Sequence, residues 1–345
     1  MRIVIAAGGS GGHLFPAQQL AEMLKRKGEC EVLFAGYKLS HSPFFVRESI
    51  PFVEIPASPL NRLWFPFVWL RGLWKGLRVL RRFQPDVVVG FGSYHVFPLL
   101  TAARVLGKKI VLFEANCVLG RVNRLFASSA ASVASQFPIQ GCTLVPLLPW
   151  ISHDEKWDPS AARRAYQLDP ELPTFLVFGG SQGAKFLNEQ IPEALARFPG
   201  RKQVIHFTGK EEQAVRSAYE RLQIPAFVRS FEPQIAKAYA AADCAICRAG
   251  AATVSDLIRH QMPALLIPFP AATEDHQRKN GEYLVSRGGA RLLAQSGASL
   301  DAIVLELEAL LAEREAKKLS LQKIDLHNMN RSDFVDLVVQ HGSVQ

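Results

Sequence analysis

No run of about 18 uncharged apolar residues occurs in this chain, so no segment is expected to span a bilayer. No signal peptide is expected either: the opening strand runs straight into glycines, with no small-residue cleavage site behind a long apolar core. Cysteine is scarce. Cys30, Cys117, Cys142, Cys244 and Cys247 are odd in number and do not form a disulfide framework, which points to a reducing compartment. Cys244-Ala245-Ile246-Cys247 has redox spacing, but it lies in an apolar run from Ala240 that reads as a strand after a helix. Small buried thiols are the better reading. There is no second cysteine pair and the nine histidines are scattered, so no structural zinc site is expected; no cofactor is expected either.

Two nucleotide signatures are also missing. The dinucleotide fingerprint wants glycine at relative positions one, three and six. Counted from Gly9, Gly11 fits but Leu14 takes the sixth place; counted from Gly179, Ser181 takes the third. A P-loop fails because Ala184 stands where its second glycine belongs.

What is present is an ordinary globular composition. The 345 residues are 48% hydrophobic and 21% charged, with two domains the natural split. A net charge of +9 suits nucleotide phosphates, an anionic membrane surface or nucleic acid, although a surplus of this size also serves solubility alone. No helix-turn-helix, zinc or RNA-binding signature accompanies it, and no nucleic-acid partner is expected.

Two glycine clusters organise the chain. Arg2–Ala7 runs into Gly8-Gly9-Ser10-Gly11-Gly12-His13, and Thr174–Phe178 runs into Gly179-Gly180-Ser181-Gln182-Gly183-Ala184-Lys185. A glycine turn from a buried strand into a helix lets a bulky anion reach bare N–H donors at the positive helix end. Further strands are predicted at Glu31–Ala35, Pro85–Gly90, Ile110–Glu114, Gln203–Phe207, Phe227–Ser230, Asp243–Cys247 and Ala264–Pro268. Helices are predicted between them, with Leu14–Lys27, Asp301–Arg314 and Ser332–Gln340 among the helical segments. The alternation predicts an α/β fold of two Rossmann-like, doubly wound parallel domains facing a cleft, with ligands at the C-terminal strand edges. The boundary is placed in the proline-rich segment Val145–Trp150, giving domains 1–148 and 149–325, with a C-terminal helix in 326–345 packing back on the first domain.

The segment from Leu60 to Phe83 contains no acidic residue. It carries Trp64, Trp69 and Trp74 together with Arg62, Arg71, Lys75, Arg78, Arg81 and Arg82. At ~100° per residue Phe67, Leu70, Trp74 and Leu77 share one face and Arg71, Lys75, Arg78 and Arg82 the other. Either this helix lies on an anionic membrane through Trp64, Phe67, Trp69, Trp74 and those cations, or it is a core helix with a basic outer side.

Several residues can carry chemistry. His13 closes the first cluster, where an imidazole serves as a general base or packs at the helix start. Glu114 ends a strand and is a second base candidate, or a solvated loop carboxylate. In Cys247-Arg248-Ala249-Gly250 with Ala251–Asp256, backbone donors, Arg248 and the Thr253 hydroxyl suit a diphosphate, and Asp256 suits ribose hydroxyls. Amides and carboxylates in Asp275–Asn280 suit a sugar.

Together these segments, in this order, resemble the MurG family of glycosyltransferases, which move N-acetylglucosamine from its UDP carrier to lipid I in peptidoglycan synthesis. The second glycine loop is the most specific match, and His276-Gln277 with Asn280 continues the pattern. The resemblance implies a GT-B fold and an inverting transfer without a required metal. It implies that the first domain holds a polyprenyl-linked acceptor and the second UDP-N-acetylglucosamine. It implies Ser10, Gly11, Gly12 and Asn116 near the transferred sugar, and Gly180, Ser181 and Gln182 at the donor phosphates. Phe231 and Glu232 would offer backbone to the uracil, Ala251, Ala252, Thr253, Val254, Ser255 and Asp256 would line the nucleotide, and Gln277 would touch the sugar. His13, or else Glu114, would take the proton of the acceptor 4-hydroxyl, with Ser181 and Arg248 among the groups stabilising the departing diphosphate. The expected location is the cytoplasmic face of the bacterial inner membrane, peripherally bound, with cell-wall synthesis proteins as further partners.

The chain departs from the family in places. Asp256 stands for glutamate, and Leu148-Pro149-Trp150-Ile151 replaces Asn-Pro-Val-Arg and loses its arginine. Gly92-Ser93-Tyr94 followed by His95 replaces Gly-Gly-Tyr, and Phe113-Glu114-Ala115-Asn116 replaces His-Glu-Gln-Asn. Alternatives are a UDP-N-acetylglucosamine 2-epimerase or other-acceptor transferase of the same architecture, and a non-catalytic nucleotide-sugar-binding protein.

Overall fold

The computed structural model describes residues 1–9, 11–28, 30–48, 50–59, 62–146, 157–180, 183–329 and 333–343. The chain divides into two compact units, Met1–Leu148 with Asn328–Gln345, and Pro149–His327. The boundary segment around Trp150 lies outside the described residues.

Unit 1 runs β1 (Arg2–Ala6), α1 (Gly11–Arg26), β2 (Glu31–Gly36), β3 (Phe52–Glu54), α2 (Phe65–Phe83), β4 (Val87–Gly90), α3 (Phe97–Val105), β5 (Lys109–Glu114), α4 (Arg121–Phe126), β6 (Ser132–Ser135) and β7 (Thr143–Leu144). Its sheet is seven-stranded and parallel, in the order β3-β2-β1-β4-β5-β6-β7. The central strands are continuous apolar runs because helices cover both sheet faces; every residue of β4 is buried. The order reverses between β1 and β4, which puts the switch point of a doubly wound sheet there, flanked by the loops after those two strands.

Unit 2 repeats the plan with α5 (Pro159–Ala165), β8 (Thr174–Phe178), α6 (Lys185–Arg197), β9 (Gln203–Phe207), α7 (Glu212–Arg221), β10 (Ala226–Arg229), α8 (Ile235–Ala241), β11 (Cys244–Cys247), α9 (Ala251–Arg259), β12 (Ala264–Leu266), α10 (His276–Val285), β13 (Ala290–Leu292), α11 (Leu300–Ala312) and α12 (Arg314–Met329). The parallel sheet runs β10-β9-β8-β11-β12-β13, so its switch point lies between β8 and β11.

Some expectations need correction. The helix predicted to end at Arg314 stops at Ala312, and a second helix, α12, follows it from Arg314 to Met329. The last helix, α13, is Phe334–Ser343; it belongs to unit 1, where the Phe334 ring lies 5.2 Å from Phe113 and 6.2 Å from Phe91.

The two faces drawn for α2 are neighbours on its solvent side, and a third face docks. Gly72, Gly76 and Leu80 are its buried residues. A methyl on Gly72 would collide with the Pro56 carbonyl oxygen, and one on Gly76 would sit 3.1 Å from Ala102 Cβ, so these glycines let α2 lie close against α3. Phe67 (70% exposed), Leu70 (60%) and Trp74 (61%) point to solvent with Leu63 and Trp64, beside exposed Arg71, Arg78 and Arg82. Trp69 does not share that face: it is half-buried, 6.2 Å from the Phe97 ring, with its indole nitrogen shut away from solvent.

Candidate active site

In unit 1 the chain leaves β1 through Gly8 and Gly9, and Gly9 takes φ +92°, a left-handed conformation natural to glycine. Ser10 lies outside the described residues. Gly11 opens α1 beneath the Phe15 ring, with Gly12 half-buried next to it. His13 is therefore the third residue of α1, half-buried inside the first turn rather than at the cap. Across the switch point His95 faces it. Burial, and secondarily the nearby His13, push the His95 imidazole down to about 4, so it is neutral around pH 7. The ring covers Gly8 and Gly9, so these two glycines admit an imidazole where the sequence suggested an anion. Sequence reasoning named His95 only as a departure.

Glu114 is committed to its own loop. It is 3% exposed. Its Oε1 accepts from the Asn116 backbone N–H and from Asn116 Nδ2, both at 3.0 Å. Its Oε2 accepts from Gly120 N–H and Asn123 Nδ2, both at 2.9 Å. Four donors on two oxygens make it a loop organiser that positions Asn116, and correct its candidacy as a base.

In unit 2 the second glycine loop doubles back at once. Gly183 N–H donates to Gly180 O at 3.0 Å, with φ +88° at Gly180 and +75° at Gly183. A methyl on Gly183 would collide with the Thr208 carbonyl. Ser181 and Gln182, at the tip, lie outside the described residues. A buried relay holds Thr208 in place. Asn188 Nδ2 donates to Thr208 O at 3.0 Å and to Glu211 Oε2 at 2.6 Å. The Asn188 Oδ1 must then accept from His206 Nε2 at 3.1 Å, which leaves His206 Nδ1 to accept from Tyr219 Oη at 3.0 Å. The imidazole is fully buried and pushed down to about 3 by desolvation. No sequence pattern marks this relay, because its members sit on three elements.

Across the switch point Gly250 is the N-cap of α9, as Ala184 is of α6, and neither helix has a side-chain cap. The first-turn N–H groups of two helices, including Ala251, Ala252 and Thr253, thus form a positive site at the end of this sheet. Arg248 needs correcting. It is 7% exposed, donating from Nη1 to the carbonyls of Ile267 and Pro268 at 2.9 Å and from Nη2 to Gln295 Oε1 at 2.8 Å. No ion pair of Arg248 with a carboxylate occurs among the described residues, and its three hydrogen bonds tie the exit of β12 to Gln295. Ser255 is corrected likewise: its hydroxyl donates to Ala251 O at 3.0 Å within α9, and Val254 is fully buried, leaving only backbone for a ligand. Asp256 is half-buried on α9 and its charge, after burial, raises the Tyr239 phenol.

Gln277 Oε1 accepts from Phe269 N–H at 2.9 Å, which fixes its amide at the mouth of α10, and Asn280 Nδ2 donates to Ala249 O at 3.1 Å beneath it. Phe231 is half exposed, while the Glu232 carboxylate turns inward to Tyr166 Oη at 3.1 Å and Gln234 N–H at 3.0 Å. Cys244 and Cys247 are buried free thiols pushed up by desolvation, the opposite of a redox pair's activation. Among the described residues no group of three His, Cys, Asp or Glu side chains is placed to hold a metal ion.

Residues 3–135 match the glycosyltransferase family 28 N-terminal domain and residues 174–337 the glycosyltransferase family 28 C-terminal domain. The chain is 38% identical over 314 residues to the UDP-N-acetylglucosamine–N-acetylmuramyl-(pentapeptide) pyrophosphoryl-undecaprenol N-acetylglucosamine transferase of Protochlamydia amoebophila (strain UWE25), covering 85% of this chain and 83% of that one. It is 35% identical to the protein of the same name from Polaromonas naphthalenivorans (strain CJ2), covering 93% and 94%. Among solved structures, Acinetobacter baumannii MurG superposes with a TM-score of 0.75 at 27% identity, over 98% of this chain and 99% of that one. A kitacinnamycin glycosyltransferase at 18% identity, TM-score 0.73 over 99% and 98%, shares the fold.

Proposed function

The chain belongs to glycosyltransferase family 28, and from that membership we propose that it transfers N-acetylglucosamine from UDP-N-acetylglucosamine to the muramyl sugar of a pyrophosphoryl-undecaprenol pentapeptide acceptor. It is a hexosyltransferase of peptidoglycan synthesis, with the GT-B fold. The observation that carries the donor site is the pair of uncapped helix N-termini, α6 and α9, at the switch point of the unit 2 sheet. A diphosphate lies against their N–H groups and the loop of Gly180, Ser181 and Gln182. Asp256 accepts from ribose hydroxyls, Gln277 holds the sugar, and the backbone at Phe231 and Glu232 reads the base.

Unit 1 takes the acceptor. His13 removes the proton of the muramyl 4-hydroxyl, and that oxygen attacks the anomeric carbon from the face opposite UDP. The bond to the diphosphate oxygen breaks as the new glycosidic bond forms, through oxocarbenium-like charge, and the configuration inverts. The two helix ends and the buried Arg248 charge stabilise the leaving diphosphate.

No helix among the described residues is long and apolar enough to cross a membrane. The exposed Leu63, Trp64, Phe67, Leu70 and Trp74, edged by arginines, support peripheral binding to an anionic bilayer, on the cytoplasmic face where the UDP-sugar is found. The test is a transfer assay with labelled UDP-N-acetylglucosamine and a short-chain lipid-linked muramyl acceptor. A disaccharide lipid is expected. Release of N-acetylmannosamine without acceptor, or UDP-sugar binding with no transfer, overturns the proposal.

A further inference from the structure

The turn after β4 carries Ser93 and His95, and the two side chains touch. Ser93 adopts φ 67°, ψ 154°, a backbone region essentially reserved for glycine. Its hydroxyl meets His95 Nδ1 at 2.8 Å. The imidazole stacks on Tyr37 at 5.7 Å and meets the Tyr94 ring at a tilt, 3.8 Å between centroids, so two aromatic rings pack against it. Its edge lies on the first glycine turn. A Cβ on Gly9 would be 2.7 Å from His95 Cε1 and 2.8 Å from Nδ1, and one on Gly8 would be 2.9 Å from His95 Cβ.

We propose that Ser93 and His95 form a brace for this turn, with His95 a positioning residue that fixes the start of α1 and thereby the place of His13. A glycine turn has no side chains of its own to hold it, and Gly9 in a left-handed conformation is free to move unless something packs on it. The ring supplies that contact from across the switch point. Ser93 is strained, and such strain persists only where the surroundings over-determine it; here the hydroxyl-to-imidazole bond and the two tyrosines do so. Because the ring is half-buried and neutral, it adds no positive charge beside a base. As a proposal about positioning, it rests on the transfer reading in which His13 is that base.

The test uses the full chain in the transfer assay, with His95→Ala, His95→Asn and Ser93→Gly. His95→Ala is expected to lower kcat by about tenfold or more, the scale of a misplaced catalytic group, with the KM for UDP-N-acetylglucosamine unchanged. His95→Asn, whose amide still reaches the Ser93 hydroxyl, recovers most of that loss. Hydrogen–deuterium exchange gives a readout independent of turnover. Peptides covering Gly8–His13 exchange faster in His95→Ala and in Ser93→Gly and return toward wild type in His95→Asn, while Thr174–Phe178 does not change. Wild-type kcat and wild-type exchange in His95→Ala overturn the brace. So does an equal loss in His95→Ala and His95→Asn accompanied by a rising donor KM, which marks a general structural defect. If the wild type makes no transfer product, the functional reading falls and the exchange result alone decides the brace.

Discussion

At Glu114 every hydrogen-bonding direction of the carboxylate already has a donor, and that decides its role. Glu114→Gln turns one oxygen into an NH2 group aimed at N–H donors, either those of Asn116 or those of Gly120 and Asn123. Leaving buried polar groups unsatisfied costs about 1–3 kcal/mol each, so a clear drop in unfolding midpoint is expected, with no change in the pH profile of the activity that remains. His13→Ala should behave in the opposite way: UDP binding by calorimetry stays, and turnover falls by ~10²-fold or more, the usual scale for removing a general base. Wild-type turnover in that variant removes His13 from the mechanism. Both residues were legible as chemistry, Glu114 at a strand end and His13 after a glycine turn, since residue type and place suffice for that. Which one is occupied was not legible, because the donors to Glu114 come from residues two, six and nine positions on, in a loop and a helix that carry no periodic signal. Arg248 misled for the same reason: its carbonyl partners belong to the exit of β12.

Among the elements, α2 separates docking from display within one helix. Its amphipathic character was legible from the residue order, but a helical wheel does not say which sector docks, and the glycine seam at Gly72 and Gly76 holds no apolar side chain to mark it. Buried strands such as Thr174–Phe178 and Gln203–Phe207 were readable to the residue, since parallel strands covered on both faces are largely apolar runs, even with His206 set inside one of them. Phe52–Glu54, Thr143–Leu144 and Ala290–Leu292 were not, since two or three residues cannot show a period. Two variants test the two sides of α2. Gly72→Ala drives a methyl into the Pro56 carbonyl, and overpacking of this kind costs about 1–3 kcal/mol, so its unfolding midpoint falls. Replacing Phe67, Leu70 and Trp74 together by serine touches only exposed positions, so the midpoint holds while co-sedimentation with anionic vesicles drops. Replacing Arg71, Lys75, Arg78 and Arg82 by glutamine should weaken the same binding by ~1 kcal/mol per charge near the lipid. Unchanged vesicle binding in both sets removes the membrane role of this helix.

Across the whole molecule the same device appears twice, a parallel sheet whose order reverses beside its first strand, and in each unit a neutral histidine connects to the glycine loop there, directly or through a hydrogen-bond relay. His95 does so in unit 1 and His206 in unit 2. This gives the protein a defined acid sensitivity. An unfolded histidine titrates near 6.5, whereas folded His206 stays neutral down to about 3. Above pH 6.5 neither state binds the proton and the group leaves stability unchanged. As pH falls from 6.5 toward 3 the unfolded state alone gains it, so stability is lost at about 1.4 kcal/mol per pH unit, roughly 2 kcal/mol by about pH 5. His95 acts with the same sign from 6.5 down to about 4. The carboxylates held low, Glu54 by the Ser40 hydroxyl, Glu212 by Arg216 and Glu313 by Lys317, titrate below their usual 4.5 and lose their contribution only at lower pH. The window between 6.5 and 5 therefore belongs to the imidazoles. Urea unfolding followed by circular dichroism at about pH 7 and about pH 5 should show the wild type weakening on acidification. His206→Gln should start less stable, through its disturbed contacts with Asn188 and Tyr219, and lose less between the two conditions. An identical loss in both proteins would mean that His206 is not held neutral in the folded chain, and the relay beneath Gly183 would have to be redrawn.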